Sequence, residues 1–382
     1  MDLFYITDSR IPTEKANGYQ ISKMCSEYAK AGFRVKLIVP VFSNPIKKSL
    51  FDFYHLERNF SVVYRPFVNL VFLNNSYPHI LFAIRQLSFI LFLLPVYLFV
   101  SRKNKIIFTR DIVIAFVFKV LGYFTVYEAH MVRAKFKNRH LKMAAKIDRV
   151  IANSAGTATE LKKGGVVNVA SFPNGVDLKD FELDFSKEDL RIGLNLPLNK
   201  KIAMYAGHFY DWKGTEQILT AAEKLFNDSK IIFVLIGGNH QDINRLSKEI
   251  EIRGLKNVLL LGLKERHLIP SYLKSADLLL LTLNPKSEEA RYFTSPVKLF
   301  EYLAAKVPVI AADTPAIRNL VSENEVIFYQ PENSESLAQV IVSSLNKDCR
   351  DLVDNGYGLA QKYTWSDRAQ KSIHFLNNGQ GV

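Results

Sequence analysis

At 382 residues the chain is too long for one ordinary domain and points to two or three, and a hydrophobic share of 48% is ample for two cores. Its two cysteines, Cys25 and Cys349, stand far apart, which excludes a disulfide framework or a cysteine metal site and makes a reducing cytoplasm the default. The net charge of +13 is unevenly spread: residues 1–176 hold 25 Lys and Arg against 10 Asp and Glu, residues 177–382 hold 25 against 27, so the first half is expected to face something acidic or a membrane.

The N-terminal MDLFYITDSR has neither the basic start nor the long apolar run of a signal peptide. Residues 2–8 and 33–40 read as strands around a helix at 19–31. Residues 105–110 and 124–130 read as strands around the helix DIVIAFVFKVLG, and 148–154 and 168–174 as further strands. The stretch 80–100 is strongly apolar, but Arg85 and Gln86 interrupt it and Pro95 would kink it. A buried or interfacial helix is expected there rather than a membrane span. Arg133 to Arg149 holds seven Lys and Arg with one Asp and reads as a helix with a basic face.

The second half alternates more regularly. Strands are predicted at 200–207, 230–238, 257–262, 277–284, 307–313 and 325–330, and helices at 214–226, 243–254 and 265–276. A last helix follows a Thr364 cap over 363–376. Strands apolar on both faces and linked by helices make a parallel sheet covered on two sides. Both halves therefore read as Rossmann-like, with ligands at the carboxyl ends of the strands.

TSPVKLFEYLAA, residues 294–305, carries the most chemistry. Ser295 is a suitable N-cap and Pro296 suits the first helical position. Lys298 puts a cation at the positive end of the helix dipole, the wrong sign for helix stability. The residue makes sense if an anion binds there, met by amides, dipole and lysine together. Glu301, on the same face, is placed to accept hydrogen bonds from sugar hydroxyls. An exposed Lys298–Glu301 ion pair on an ordinary helix is the plainer reading.

Several segments in order carry a family resemblance: EKANGYQISKMCSEYAKAGFRV (14–35), FPNGVD (172–177), YAGHFYDWKG (205–214), LIGG (235–238), LGLKERHLIPSYLKSADLLLL (261–281) and SPVKLFEYLAA. Over nearly its whole length the chain resembles the family 4 retaining glycosyltransferases, also called glycosyl transferases group 1. The resemblance implies an α/β chain of GT-B fold, two Rossmann-like domains with parallel sheets facing a cleft. It places an acceptor domain at 1–175, a nucleotide-sugar donor domain at 176–362, and a C-terminal helix at 363–382 packing back on the first domain.

The resemblance also implies a site. Asn17 and Gly18 lie in the loop facing the donor. Gly207, His208 and Lys213 form the donor-phosphate loop, with His208 where the family has an arginine. Gly237, Gly238 and Leu263 flank the nucleotide, and Ser295, Pro296, Lys298 and Glu301 complete the donor site. His130, in YEAH, would contact the transferred sugar and, with Lys213 and Glu301, make the catalytic set; Glu128 and Arg110 lie nearby. The family's first motif glutamate is replaced by Phe293, and spacing leaves open whether Glu288 or Glu289 reaches the sugar. Arg133, Lys135, Lys137 and Arg139 are the candidate acceptor or membrane face.

The resulting expectation is a retaining, metal-independent hexosyltransferase without cofactor. It would use a nucleotide diphosphate sugar and a glycan or lipid-linked acceptor in cell-surface polysaccharide or glycolipid synthesis. It would be cytoplasmic, peripheral on the inner membrane face, and without a nucleic-acid partner. The rival from another class is a non-catalytic nucleotide-sugar-binding or scaffold protein of the same fold. An epimerase of that fold lacks an evident acid/base set here.

Overall fold

The computed structural model describes residues 1–68, 78–98, 100–132, 137–331 and 333–378. The chain divides into two compact units. Unit 1 comprises residues 1–153, 157–172 and 368 onward; unit 2 comprises 154–156 and 173–367.

Unit 1 holds β1 (Asp2–Ile6), β2 (Arg34–Pro40), β3 (Ser61–Arg65), β4 (Lys105–Thr109), β5 (Phe124–Ala129), β6 (Arg149–Ala152) and β7 (Val169–Ser171). They form one parallel sheet in the order β3-β2-β1-β4-β5-β6-β7. The central strands are apolar runs buried along their length, as a sheet covered on both faces requires. β3 and a short helix, Leu50–Tyr54, were not legible in the sequence. The first helix runs over Ala16–Lys30, so Asn17 and Gly18 lie in its first turn and not in the loop before it.

The apolar stretch forms the helix Pro78–Leu98, with Pro95 inside. Phe89, Ile90, Leu93 and Tyr97 pack into the sheet's core with Phe4, Ile38 and Phe118. Leu87, Leu91, Phe92, Val96 and Leu98 stay exposed. By length and composition the helix could cross a membrane.

Unit 2 holds β8 (Lys201–Ala206), β9 (Ile231–Ile236), β10 (Val258–Gly262), β11 (Leu278–Leu281), β12 (Val309–Ala312) and β13 (Ile327–Tyr329), parallel in the order β10-β9-β8-β11-β12-β13. In each sheet the chain order reverses once, between β1 and β4 in unit 1 and between β8 and β11 in unit 2. The predicted 265–276 helix resolves into a 3-10 turn, Arg266–Leu268, and a helix Ile269–Ser275 whose start accommodates Pro270. Thr364 caps the last helix, Trp365–Asn377, by accepting from the Asp367 amide at 3.0 Å. From Arg368 on, that helix belongs to unit 1.

Candidate functional site

In unit 2 the site gathers where the sheet's chain order reverses, at the carboxyl ends of β8 and β11. Gly207 ends β8 at φ 149°, and a Cβ there would lie 2.6 Å from Lys298 Nζ. Gly237 ends β9 at φ 117°, and a Cβ on it would lie 2.2 Å from Gly207 O. Both positions favour glycine for backbone conformation, and Gly237 needs it for space as well, since its neighbour is backbone. Gly238, at φ 80°, packs on the Phe209 ring.

Two lysines converge here. Lys298 Nζ sits 3.7 Å from the centroid of the Tyr205 ring and has no hydrogen-bond partner. Burial pushes its amine well below the usual lysine range, and Lys213 pushes it further against the pull of Glu301. Lys213 Nζ lies 3.5 Å above the Trp212 ring. Burial lowers its amine to about 7, opposed by Glu289. Two amines without a bonded carboxylate, each with its charged form disfavoured by burial, make a site where a bound anion would favour protonation. Glu289, whose own carboxyl burial pushes up, stands at the start of a π-turn, Glu289–Phe293, that precedes the lysine helix.

That helix spans Val297–Ala304 with Pro296 at its cap, so the N-cap assignment of Ser295 was wrong. Ser295 Oγ instead accepts the Asn174 amide at 3.1 Å, and Ser295 O accepts from Asn174 Nδ2 at 2.5 Å. The serine tethers the FPNGVD turn and leaves the first helical amides uncapped by a side chain. The plainer reading, an exposed Lys298–Glu301 ion pair, does not hold: Glu301 pairs with Arg266, a residue the sequence did not single out. His208 stacks on Tyr210, ring centroids 5.0 Å apart, and its carbonyl accepts from Tyr205 Oη at 2.8 Å. Leu263 is exposed just beyond β10.

In unit 1 the centre is Glu128, which is 1% exposed. It accepts from Tyr5 Oη at 2.8 Å, Gln20 Nε2 at 3.0 Å, Arg368 Nη2 at 2.8 Å and His130 Nε2 at 3.2 Å. Although burial opposes ionisation, Arg368, the His130 hydrogen bond and the charge of Arg110 hold its carboxyl well below the usual range. Asn153 Nδ2 stands 3.2 Å from His130 Nδ1, so the network assigns the ring proton to Nε2. Burial, with Arg110 adding to it, pushes the His130 imidazole down to about 4, so the ring is neutral at pH 7. Its side chain is 25% exposed, which leaves one edge open to a ligand.

Asn17 Nδ2 contacts Ser9 Oγ at 3.2 Å. Gly18 is required by packing: a Cβ there would lie 2.2 Å from Tyr54 Oη. Of the basic face, Arg133 and Lys135 lie outside the described residues. Lys137 pairs with Glu160, an acid from a different helix, and Arg139 is exposed. Among the described residues, no three His, Cys, Asp or Glu side chains are grouped to hold a metal ion.

The family "Glycosyl transferases group 1" matches residues 186–358. The chain is 26% identical over 228 residues to TuaC of Bacillus subtilis (strain 168), a protein named for glycosyl transfer in teichuronic acid biosynthesis; the match covers 59% of this chain and 54% of that one. It is 24% identical over 211 residues to an Escherichia coli UDP-Gal:alpha-D-GlcNAc-diphosphoundecaprenol alpha-1,3-galactosyltransferase, covering 51% of this chain and 52% of that one. The chain thus spans about half the length of these relatives. In fold it is similar to Anabaena HepE, solved with UDP and glucose, at a TM-score of 0.76 and 18% identity over 99% of this chain and 100% of that one.

Proposed function

We propose, from the match of residues 186–358 to the group 1 glycosyl transferases, that this chain moves a sugar from a nucleotide diphosphate donor to an acceptor hydroxyl. The observation that carries the proposal is the pair Lys213 and Lys298. Both amines lie over aromatic rings without a bonded carboxylate, and Lys298 stands in the first turn of a helix that no side chain caps. A diphosphate is the group that satisfies all of these at once.

In the reaction the bond from the sugar's anomeric carbon to the β-phosphate oxygen breaks. Charge gathers on the leaving diphosphate, where Lys213, Lys298 and the helix amides stabilise it in place. The acceptor oxygen bonds to the anomeric carbon, and its proton passes to the leaving phosphate. We assign no enzyme nucleophile, hence retention by attack on the leaving-group face, and no metal or cofactor. Glu301 would bind the donor's ribose hydroxyls, held in place by Arg266, and neutral His130 would contact the transferred sugar. HepE, crystallised with UDP and glucose, supports a uridine donor, and the diphosphoundecaprenol relative supports a lipid-linked acceptor. The exposed apolar side of Pro78–Leu98 fits a cytoplasmic enzyme lying on the membrane's inner face.

A second reading, nucleotide-sugar binding without transfer, is favoured by one observation: Phe293 stands where the family has its first motif glutamate. A panel of nucleotide sugars separates the two. Thermal stabilisation by one donor, with release of its nucleoside diphosphate in the presence of a lipid-diphosphate glycan, supports transfer. Stabilisation without release supports the second reading. No stabilisation by any donor overturns both.

A further inference from the structure

We propose that Arg110 is the anion-binding residue of a second ligand site, in unit 1, and that it receives a carboxylate or phosphate group carried by the acceptor. The word acceptor rests on the transferase reading; the anion site does not.

Arg110 lies one residue past β4, where the order of unit 1's sheet reverses between β1 and β4. Ligands of open parallel sheets bind outside the strand ends at such points. In the β4–β5 register Phe108 pairs with Val126. Two residues on, side-chain alternation puts Arg110 on the same face as Glu128. The guanidinium is thus brought to the Glu128–His130 centre.

The charges there do not balance. Glu128 supplies one negative charge and already accepts from Tyr5, Gln20, His130 and Arg368. Arg368 uses that charge, and His130 is neutral. The other acids nearby in sequence or fold are committed elsewhere. Asp8 pairs with Arg85 at 3.3 Å, while Asp111 caps its helix through the Val113 and Ile114 amides and accepts from Gln86. Among the described residues Arg110 makes no hydrogen bond or ion pair, and its Nη1 is buried without a partner. A guanidinium nitrogen deprived of both water and a partner is costly, and the planar fork of a half-buried arginine matches a carboxylate or phosphate. Lys298 shows the same signature in unit 2: a buried, unpartnered cationic nitrogen where the sheet order reverses.

The test uses the full chain with labelled histidine, reading the His130 imidazole resonances, assigned with His130→Gln. Titrants are glucuronate, inorganic phosphate and, as a neutral control, glucose. The expected result is saturable movement of the His130 signal with at least one anion and none with glucose. That movement should persist in a Lys213→Ala/Lys298→Ala double variant and weaken ten-fold or more in Arg110→Met. Arg110→Lys, which keeps the charge but loses the fork, should fall between and serves if the methionine variant fails to fold. A response to glucuronate but not phosphate assigns the site to a uronate-bearing acceptor; the reverse assigns it to a lipid phosphate. No response to either anion, undiminished response in both Arg110 variants, or loss of the response in the double-lysine variant overturns the proposal. UDP-sugar binding, measured on the same wild-type sample, reports separately on the donor reading.

Discussion

Lys298→Met should make the ligand-free protein more stable and its donor binding worse. In the free protein Lys298 Nζ is buried, lacks a hydrogen-bond partner and rests on the Tyr205 ring. Removing an unpartnered buried amine relieves about 1–3 kcal/mol of desolvation. The lost cation–π contact costs roughly 0.5–2 kcal/mol, and a thioether on the same ring restores about 0.3–1.5 kcal/mol of it. The balance is a gain on the order of 1–2 kcal/mol, and a unit of this size melts about 2–4 °C higher for each kcal/mol. With donor bound the sign reverses, because a charge-assisted contact worth about 1.5–3 kcal/mol is lost, roughly a 10- to 150-fold rise in Kd. At a nucleotide concentration of about 100 times the wild-type Kd, wild type should gain about 2.7 kcal/mol, the variant only about 0.3–1.4 kcal/mol. Melting curves of both proteins with and without UDP measure all four states. A variant that melts below wild type without nucleotide, yet shifts as far with it, would refute the reasoning and make Lys298 a structural residue.

Lys213 predicts a pH dependence. Its free-state value of about 7 means that the protonated, anion-binding form is lost as pH rises through 7. Donor affinity should then fall by up to about ten-fold per pH unit, with proton uptake on binding at pH 8; calorimetry in two buffers measures the uptake, and a flat affinity from pH 6 to 9 would contradict it. Glu301→Gln should weaken nucleotides carrying a ribose diol more than it weakens pyrophosphate; equal losses would mean that Glu301, paired with Arg266, acts on the phosphate side instead. Arg368→Ala strands the buried Glu128 carboxylate and should cost about 3–5 kcal/mol in urea unfolding; a loss below about 0.5 kcal/mol would mean that the charge is met some other way. Vesicle co-sedimentation should show binding that prefers anionic lipid, weakens with salt and drops when Leu87, Leu91 and Phe92 are all changed to Ser; equal binding to neutral vesicles would remove the charge contribution, and no binding would remove the membrane from the account.

The two sheets were legible because their central strands are apolar on both faces, a pattern that needs no partner to be read. β3 was not, since Ser61–Arg65 is a partly exposed edge strand whose apolar run is only Val62 to Tyr64. At the site, Lys298 and Gly207 could be picked out from local chemistry: a cation at the wrong helix end and a glycine at a strand end. The partners could not. Arg266 meets Glu301 from another element, and Asn174 claims the hydroxyl that local capping rules gave to the helix. Gly18 looked like room for a ligand and proved to be room for Tyr54, a neighbour far along the chain. Local propensity finds groups that are individually out of place. It does not reveal which distant residue answers them.

The division of the chain has a consequence for how the protein is made and dissected. Unit 2 is, but for residues 154–156, one continuous run, 173–367, whereas unit 1 needs residues from 368 on. Arg368 donates to Glu128 and, through Nε, to the Phe172 carbonyl at 3.2 Å, so it closes the unit at both the buried carboxylate and the end of the 157–172 segment. A ribosome therefore emits the bulk of unit 1 first and its counter-charge last. Until then Glu128 must stay protonated or hydrated, and the nascent unit waits, incomplete, while unit 2 can form. The same topology sets a rule for engineering. A fragment cut after residue 172 is not unit 1, but the closing stretch joined back to it, as a fused or added peptide, supplies what it lacks.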